Sequence, residues 1–177
     1  MRRERSTIWG MSVAPCLRRV ACETMWQRSI VSLILPAAVA WVRKQERQIL
    51  AAGVSLNAQQ LIDARAAGVA QPERIRLLRV PTIPPQRRRG LRSIALKLGV
   101  LSPHTAGLTA CYGIFIRNDF WGHRALLVHE FAHTAQYERL GGIRPFLRAY
   151  LLECLIDGYP LGPLEREAAA AARLICR

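Results

Sequence analysis

The stretch Leu126-Leu127-Val128-His129-Glu130-Phe131-Ala132-His133-Thr134-Ala135-Gln136 places two histidines four positions apart, with a glutamate directly after the first. On an α-helix, residues four apart lie about 40° apart around the axis and one turn along it, so both imidazoles project from one face. Two neutral imidazole nitrogens at that separation suit tetrahedral Zn²⁺. Glu130 then sits where its carboxylate could take a proton from a water at the metal, which is the chemistry of a zinc hydrolase. One zinc per chain is the cofactor this spacing predicts. Leu126, Leu127, Val128, Phe131, Ala132 and Ala135 are apolar and Gly141-Gly142 ends the run, so the histidines belong to a core helix. Buried imidazoles need partners, and a metal supplies them.

A catalytic zinc takes three protein ligands and keeps one position open. No histidine follows His133, which excludes a third histidine further along the chain. Upstream, His104 remains open, whereas His123 precedes His129 by six residues and falls on a different helix face. Two carboxylates compete for the third place. Glu165 lies in the first turn of the last helix, and Glu153 begins Glu153-Cys154-Leu155-Ile156-Asp157, whose Asp157 could orient a ligand histidine. The spacing leaves both open. A hydrolytic site also needs a donor for the developing oxyanion, and Tyr112, Tyr159 and His104 are unranked candidates.

The elements that must position these groups follow from the patterning. With 177 residues and 51% apolar content, the chain has enough material for one sizeable core. The expected architecture is α+β: one mainly helical domain over 29–177 with a small sheet, preceded by a loose basic tail over 1–28. The net charge of +14 is concentrated in residues 1–117, while residues 118–177 hold seven Arg against seven Asp or Glu. The half with the chemistry is neutral, which speaks against a polyanion in the cleft. The basic half leaves nucleic acid or an anionic membrane surface as partners. The five cysteines are scattered with no CxxC pair, a usage that suits a reducing compartment.

Residues 30–42 form the longest apolar run, 13 residues interrupted by Ser32 and Pro36 and too short to span a bilayer as a helix. No transmembrane segment and a cytoplasmic location are expected. The alternative is export, with 25–40 acting as a signal peptide cleaved after Ala38-Val39-Ala40. The stripe Leu35, Val39, Val42, Ile49, Leu50 predicts an amphipathic helix from Pro36 to Gly53. Further on, Ser55 caps a helix closed by Gly68, residues 74–80 alternate as a strand, and 91–98 form a third helix. Residues 107–117 read as one strand turning through Asn118-Asp119 into the metal helix, and helices open at Pro145 and Pro163.

From Gly107 onward the chain resembles the zincin superfamily, and its gluzincin branch in particular, in which HExxH on one helix is completed by a Glu on a later one. The resemblance rests on His129-Glu130-Phe131-Ala132-His133-Thr134-Ala135-Gln136-Tyr137-Glu138, then Gly141-Gly142, then Pro163-Leu164-Glu165-Arg166-Glu167-Ala168. In those segments it is also similar to bacterial proteins of unassigned function with an HExxHxxQYE helix. The resemblance implies a zincin-like metallopeptidase acting on a peptide or protein, with Glu165 as third ligand. Where the related pattern Glu-x-x-Ala-Asp carries its Asp, this chain has Ala169, which leaves Asp157 or a backbone carbonyl to orient His129. Two alternatives stand beside it: a zinc-binding interaction domain without turnover, and a nucleic-acid-associated protease tethered by Arg87, Arg88 and Arg89.

Overall fold

The computed structural model describes residues 14–83 and 105–177; the helix expected over 91–98, the Arg87-Arg88-Arg89 run and His104 lie outside them. The described residues form an α+β fold of five helices and a four-stranded sheet.

The first helix, α1 (Ala14–Ala52), is 39 residues long and contains Pro36 in its interior. This corrects two expectations: the helix does not begin at Pro36, and residues 14–28 belong to it instead of to a loose tail. An internal proline removes one hydrogen bond and costs about 3 kcal/mol. Burial offsets that cost, because Val31, Leu35, Val39, Val42 and Ile49 recur on one face across the proline while Pro36 itself is exposed. The apolar run is therefore part of a continuous helix. Met25–Ala52 is long and apolar enough, by length and composition alone, to cross a membrane, although one of its faces is committed to the core.

After β1 (Val54–Ser55), helix α2 (Ala58–Ala66) starts with a capping box. The cap is Asn57, not Ser55: Asn57 Oδ1 accepts from the Gln60 N–H at 2.8 Å, Gln60 Oε1 accepts from the Asn57 N–H at 2.9 Å, and Ser55 pairs with Arg76 in the sheet.

The sheet has the order β1-β2-β4-β3, with β2 (Arg76–Val80), β3 (Gly107–Ala110) and β4 (Gly113–Arg117). The β2–β4 pair is parallel and the other pairs are antiparallel. The single strand expected over 107–117 is thus a hairpin. Its reversal is the Cys111-Tyr112 pair, with Cys111 at φ 59°, a left-handed conformation more usual for glycine or asparagine. Central β4 alternates between two cores: Phe115 faces α1, whereas Ile114 and Ile116 face α2 and the helix that follows. A Cβ on Gly113 would overlap Ile49, so α1 seats against β4 through this residue's missing side chain.

Three further helices complete the fold: α3 (Arg124–Arg139), α4 (Ile143–Ile156) and α5 (Pro163–Ile175). Asp63 on α2 accepts two hydrogen bonds at 2.9 Å from the Arg124 guanidinium, which ties α2 to the start of α3 and holds the Asp63 carboxyl below its ordinary pKa. Helix α4 packs along α1, and its Phe146, Leu147 and Leu151 complete the α1-side core.

The two faces of α1 respond differently to truncation. Leu35 is 4% exposed and Leu33 82% exposed. Leu35→Ala should lower stability by about 2–5 kcal/mol, and Leu33→Ala by less than about 0.5 kcal/mol. Urea midpoints at unchanged m-value measure both; equal losses would refute the assignment of the buried face.

Candidate metal centre

Helix α3 begins after His123, whose Nδ1 accepts from the Leu126 N–H at 3.2 Å. This histidine is a helix cap, which accounts for it without a metal. One turn into the helix, His129 and His133 turn toward α5, and Glu165 comes from the first turn of that helix. The facing atoms are close. His129 Nε2 and His133 Nε2 are 3.1 Å apart, His129 Nε2 lies 3.3 Å from Glu165 Oε2, and His133 Nε2 lies 3.4 Å from Glu165 Oε1.

A tetrahedral ion with bonds of about 2.05 Å has ligand atoms about 3.3 Å apart. The three separations fall on those edges, so the donor set could hold a metal ion in both chemistry and spacing. A partly buried meeting of two imidazoles and a carboxylate would otherwise rest on shared protons alone.

The neighbours preset this arrangement. The His133 Nδ1–H donates to Gln136 Oε1 at 2.8 Å, which turns Nε2 toward Glu165, where it shares a proton with the carboxylate in the metal-free chain and would offer its lone pair once a metal displaced that proton. Gln136 in turn donates from Nε2 to the Leu164 carbonyl at 2.9 Å. Glu153 accepts from the Leu164 N–H at 2.9 Å, close beside Gly162. Leu164, the residue before Glu165, is therefore held at both its carbonyl and its N–H. Tyr150 on α4 donates its hydroxyl to Glu165 Oε1 at 2.5 Å. Burial opposes ionisation of Glu165, but hydrogen bonds from His129, His133 and Tyr150 and the charge of His133 hold its carboxyl well below the usual range. His133 shows the complementary balance. Burial pulls its pKa down, and the Glu165 hydrogen bond, the charges of Glu130 and Glu165, and Gln136 more than restore it, leaving the value raised.

Glu130 is 4% exposed and faces β3. Its Oε2 accepts from the Thr109 hydroxyl at 2.6 Å, and a Cβ on Gly107 would overlap its carboxylate. A side chain at Gly107 would therefore have to displace the Glu130 carboxylate from Thr109.

No family model, curated protein or solved structure matches this chain. The site stands on its geometry.

Several expected residues fall elsewhere. Glu153 supports α5 and is absent from the donor cluster, because its carboxylate is taken up by the Leu164 N–H. Asp157 is the exposed C-cap of α4 and makes no contact with the histidines among the described hydrogen bonds. Tyr112 donates to Glu138 Oε1 at 2.9 Å with the Arg74 guanidinium over its ring, so its hydroxyl is occupied near α2. Tyr159 lies on the link between α4 and α5, and burial, Glu165 and Glu130 push its phenol up to about 12. The sequence reading missed Gln136, Tyr150 and Thr109. Gln136 had a signal, lying three residues after His133 on the same helix face.

Metal content should separate the two carboxylates. Plasma mass spectrometry should find one ion per chain in the wild type and in Glu153→Ala, and none in His133→Ala or Glu165→Ala; loss in Glu153→Ala alone would reassign the ligand. Protons provide a second check. The raised His133 pKa contributes stability that is full below about pH 6.5 and lost as pH rises through the folded value. The lowered Glu165 pKa contributes stability that is full above about pH 4.3 and lost as pH falls through the folded value. Their pairing thus stabilises the metal-free protein most between those limits. A metal competes for the same nitrogens, so the melting-temperature gain from added metal should widen from about pH 5 to about pH 8.

Proposed function

We propose that this chain is a zinc-dependent metallopeptidase, with His129, His133 and Glu165 holding the ion and Glu130 as general base. The triangle of donor atoms at 3.1, 3.3 and 3.4 Å carries the reading. A two-imidazole, one-carboxylate set with tetrahedral edges favours zinc over the hard, oxygen-seeking cations. When bound, zinc supplies Lewis-acid polarisation of the scissile carbonyl and a lowered pKa for the attacking water.

The chain's own residues do the remaining work. Glu130 accepts the proton from the attacking water and returns it to the leaving amine nitrogen. The Thr109 hydroxyl fixes the orientation of the Glu130 carboxylate, and the bare Cα of Gly107 leaves it room. Gln136 holds the His133 tautomer, and Tyr150 steadies Glu165. With a pKa of about 12, Tyr159 keeps its proton near neutral pH and is the remaining described candidate to donate to the oxyanion. Among the described residues strand β3 ends the sheet, and an extended peptide could add along its outer edge beside Glu130.

Glu130→Gln is the deciding variant. It should keep stoichiometric zinc and lower peptide cleavage by at least about a hundredfold. Cleavage at the wild-type rate would remove Glu130 as the base. Zinc-loaded, folded wild type that cleaves nothing in broad peptide libraries would leave a zinc-binding domain without turnover.

A further inference from the structure

The outward face of α1 is not accounted for by the core or by the metal centre. Residues 29–42 carry no charge, a stretch of about 21 Å at 1.5 Å per residue. Inward side chains of this stretch fill the core, yet Met25 is 69%, Trp26 49% and Leu33 82% exposed. At 100° per residue, Trp26, Leu33, Ala40, Arg43, Lys44 and Arg47 fall within an arc of about 100°. One exposed face therefore runs from apolar to basic along its length. Arg28, also exposed, flanks the apolar end.

The apolar surface extends past the helix. Gln27 Nε2 donates to the Leu155 carbonyl at 3.2 Å, which sets the Met25-Trp26 turn of α1 beside the end of α4, where Ile156 is 54% exposed. Isolated exposed apolar side chains need no explanation, but a contiguous band with cations at its ends does.

We propose that this face of α1 binds the surface of an anionic lipid bilayer, with Trp26, Leu33 and their neighbours in the headgroup–acyl boundary and Arg43, Lys44 and Arg47 on the phosphates. Charge complementarity selects this occupant: within residues 25–52 the helix carries Arg28, Arg43, Lys44 and Arg47 against Glu46 as its one acid, and all four cations are exposed. The helix lies on the membrane instead of crossing it, because Val31, Leu35, Val39 and Ile49 on its other face are fully engaged in the core, and Gln27 and Gln45 on that face are also buried. This inference does not depend on the metal centre.

Flotation of the full chain with phosphatidylcholine vesicles, with and without about 30% phosphatidylserine, tests it. Binding should require the anionic lipid, weaken with salt and be released by alkaline carbonate. Two sets of substitutions at exposed positions, each checked for native circular dichroism, divide the contributions. Met25→Gln with Leu33→Gln removes the apolar contact, and Arg43→Gln with Lys44→Gln and Arg47→Gln removes the charge. Each should weaken binding by about tenfold or more. The proposal is overturned by absence of binding at low salt, by equal binding to neutral vesicles, or by binding that either variant leaves unchanged. It is also overturned by resistance to carbonate, which means a spanning helix, or by a wild-type dimer that Met25→Gln with Leu33→Gln dissociates, which means that a second copy covers the face.

Discussion

Bringing His129, His133 and Glu165 within 3.4 Å of one another in a largely buried place is the constraint on which the C-terminal half depends. Desolvating a carboxylate is costly unless charge and hydrogen bonds replace the lost water. The surroundings supply both. Tyr150 and two imidazoles face Glu165, and the backbone of Leu164 is held by Gln136 on its carbonyl and Glu153 on its N–H. The supports come from two elements: Gln136 from α3, and Tyr150 and Glu153 from α4. The three helices are therefore locked together by the same groups that aim the donors.

The motif residues beyond the histidines have structural duties in this arrangement. Tyr137 stacks on Phe146 with ring centroids 3.8 Å apart, joining α3 to α4. Glu138 accepts from the Ala70 and Gln71 N–H groups and from the Tyr112 hydroxyl, pinning the segment after α2 and the β3–β4 turn to the end of α3. Arg139 and Glu167 form a bidentate pair between α3 and α5, at 2.6 and 2.8 Å. That pair is about half exposed and adds little energy, but it restricts the angle between the helices that carry His129, His133 and Glu165.

The sheet and α1 form the other half of the scaffold. β4 is buried on both faces, so its neighbours α1 and α3 are fixed relative to one another through Phe115 on one side and Ile114 and Ile116 on the other. Edge strand β3 reaches across to Glu130 through Thr109. The proposed base is held by the sheet and the proposed ligands by the helices. Their relative position rests on the packing of α3 against β3.

Helical periodicity and residue chemistry by themselves determined that His129, Glu130 and His133 share a helix and that Pro163 opens a helix carrying Glu165, because these are properties of local spacing. Whether Glu165 or Glu153 met the histidines was decided by the tertiary structure, since both carboxylates sit on helices after the motif and only the docking of α5 on α3 gives Glu165 the imidazoles and Tyr150 while Glu153 takes the Leu164 N–H. The passage of α1 through Pro36 was likewise a tertiary decision. A local penalty of about 3 kcal/mol forecasts a break, but a stripe from Val31 to Ile49 buried against α4 and β4 outweighs it. The turn at Cys111-Tyr112 carried little local sign, because a non-glycine residue in the left-handed region is tolerated only where the surrounding strands and Thr134, which donates to the Cys111 carbonyl at 3.0 Å, hold it there.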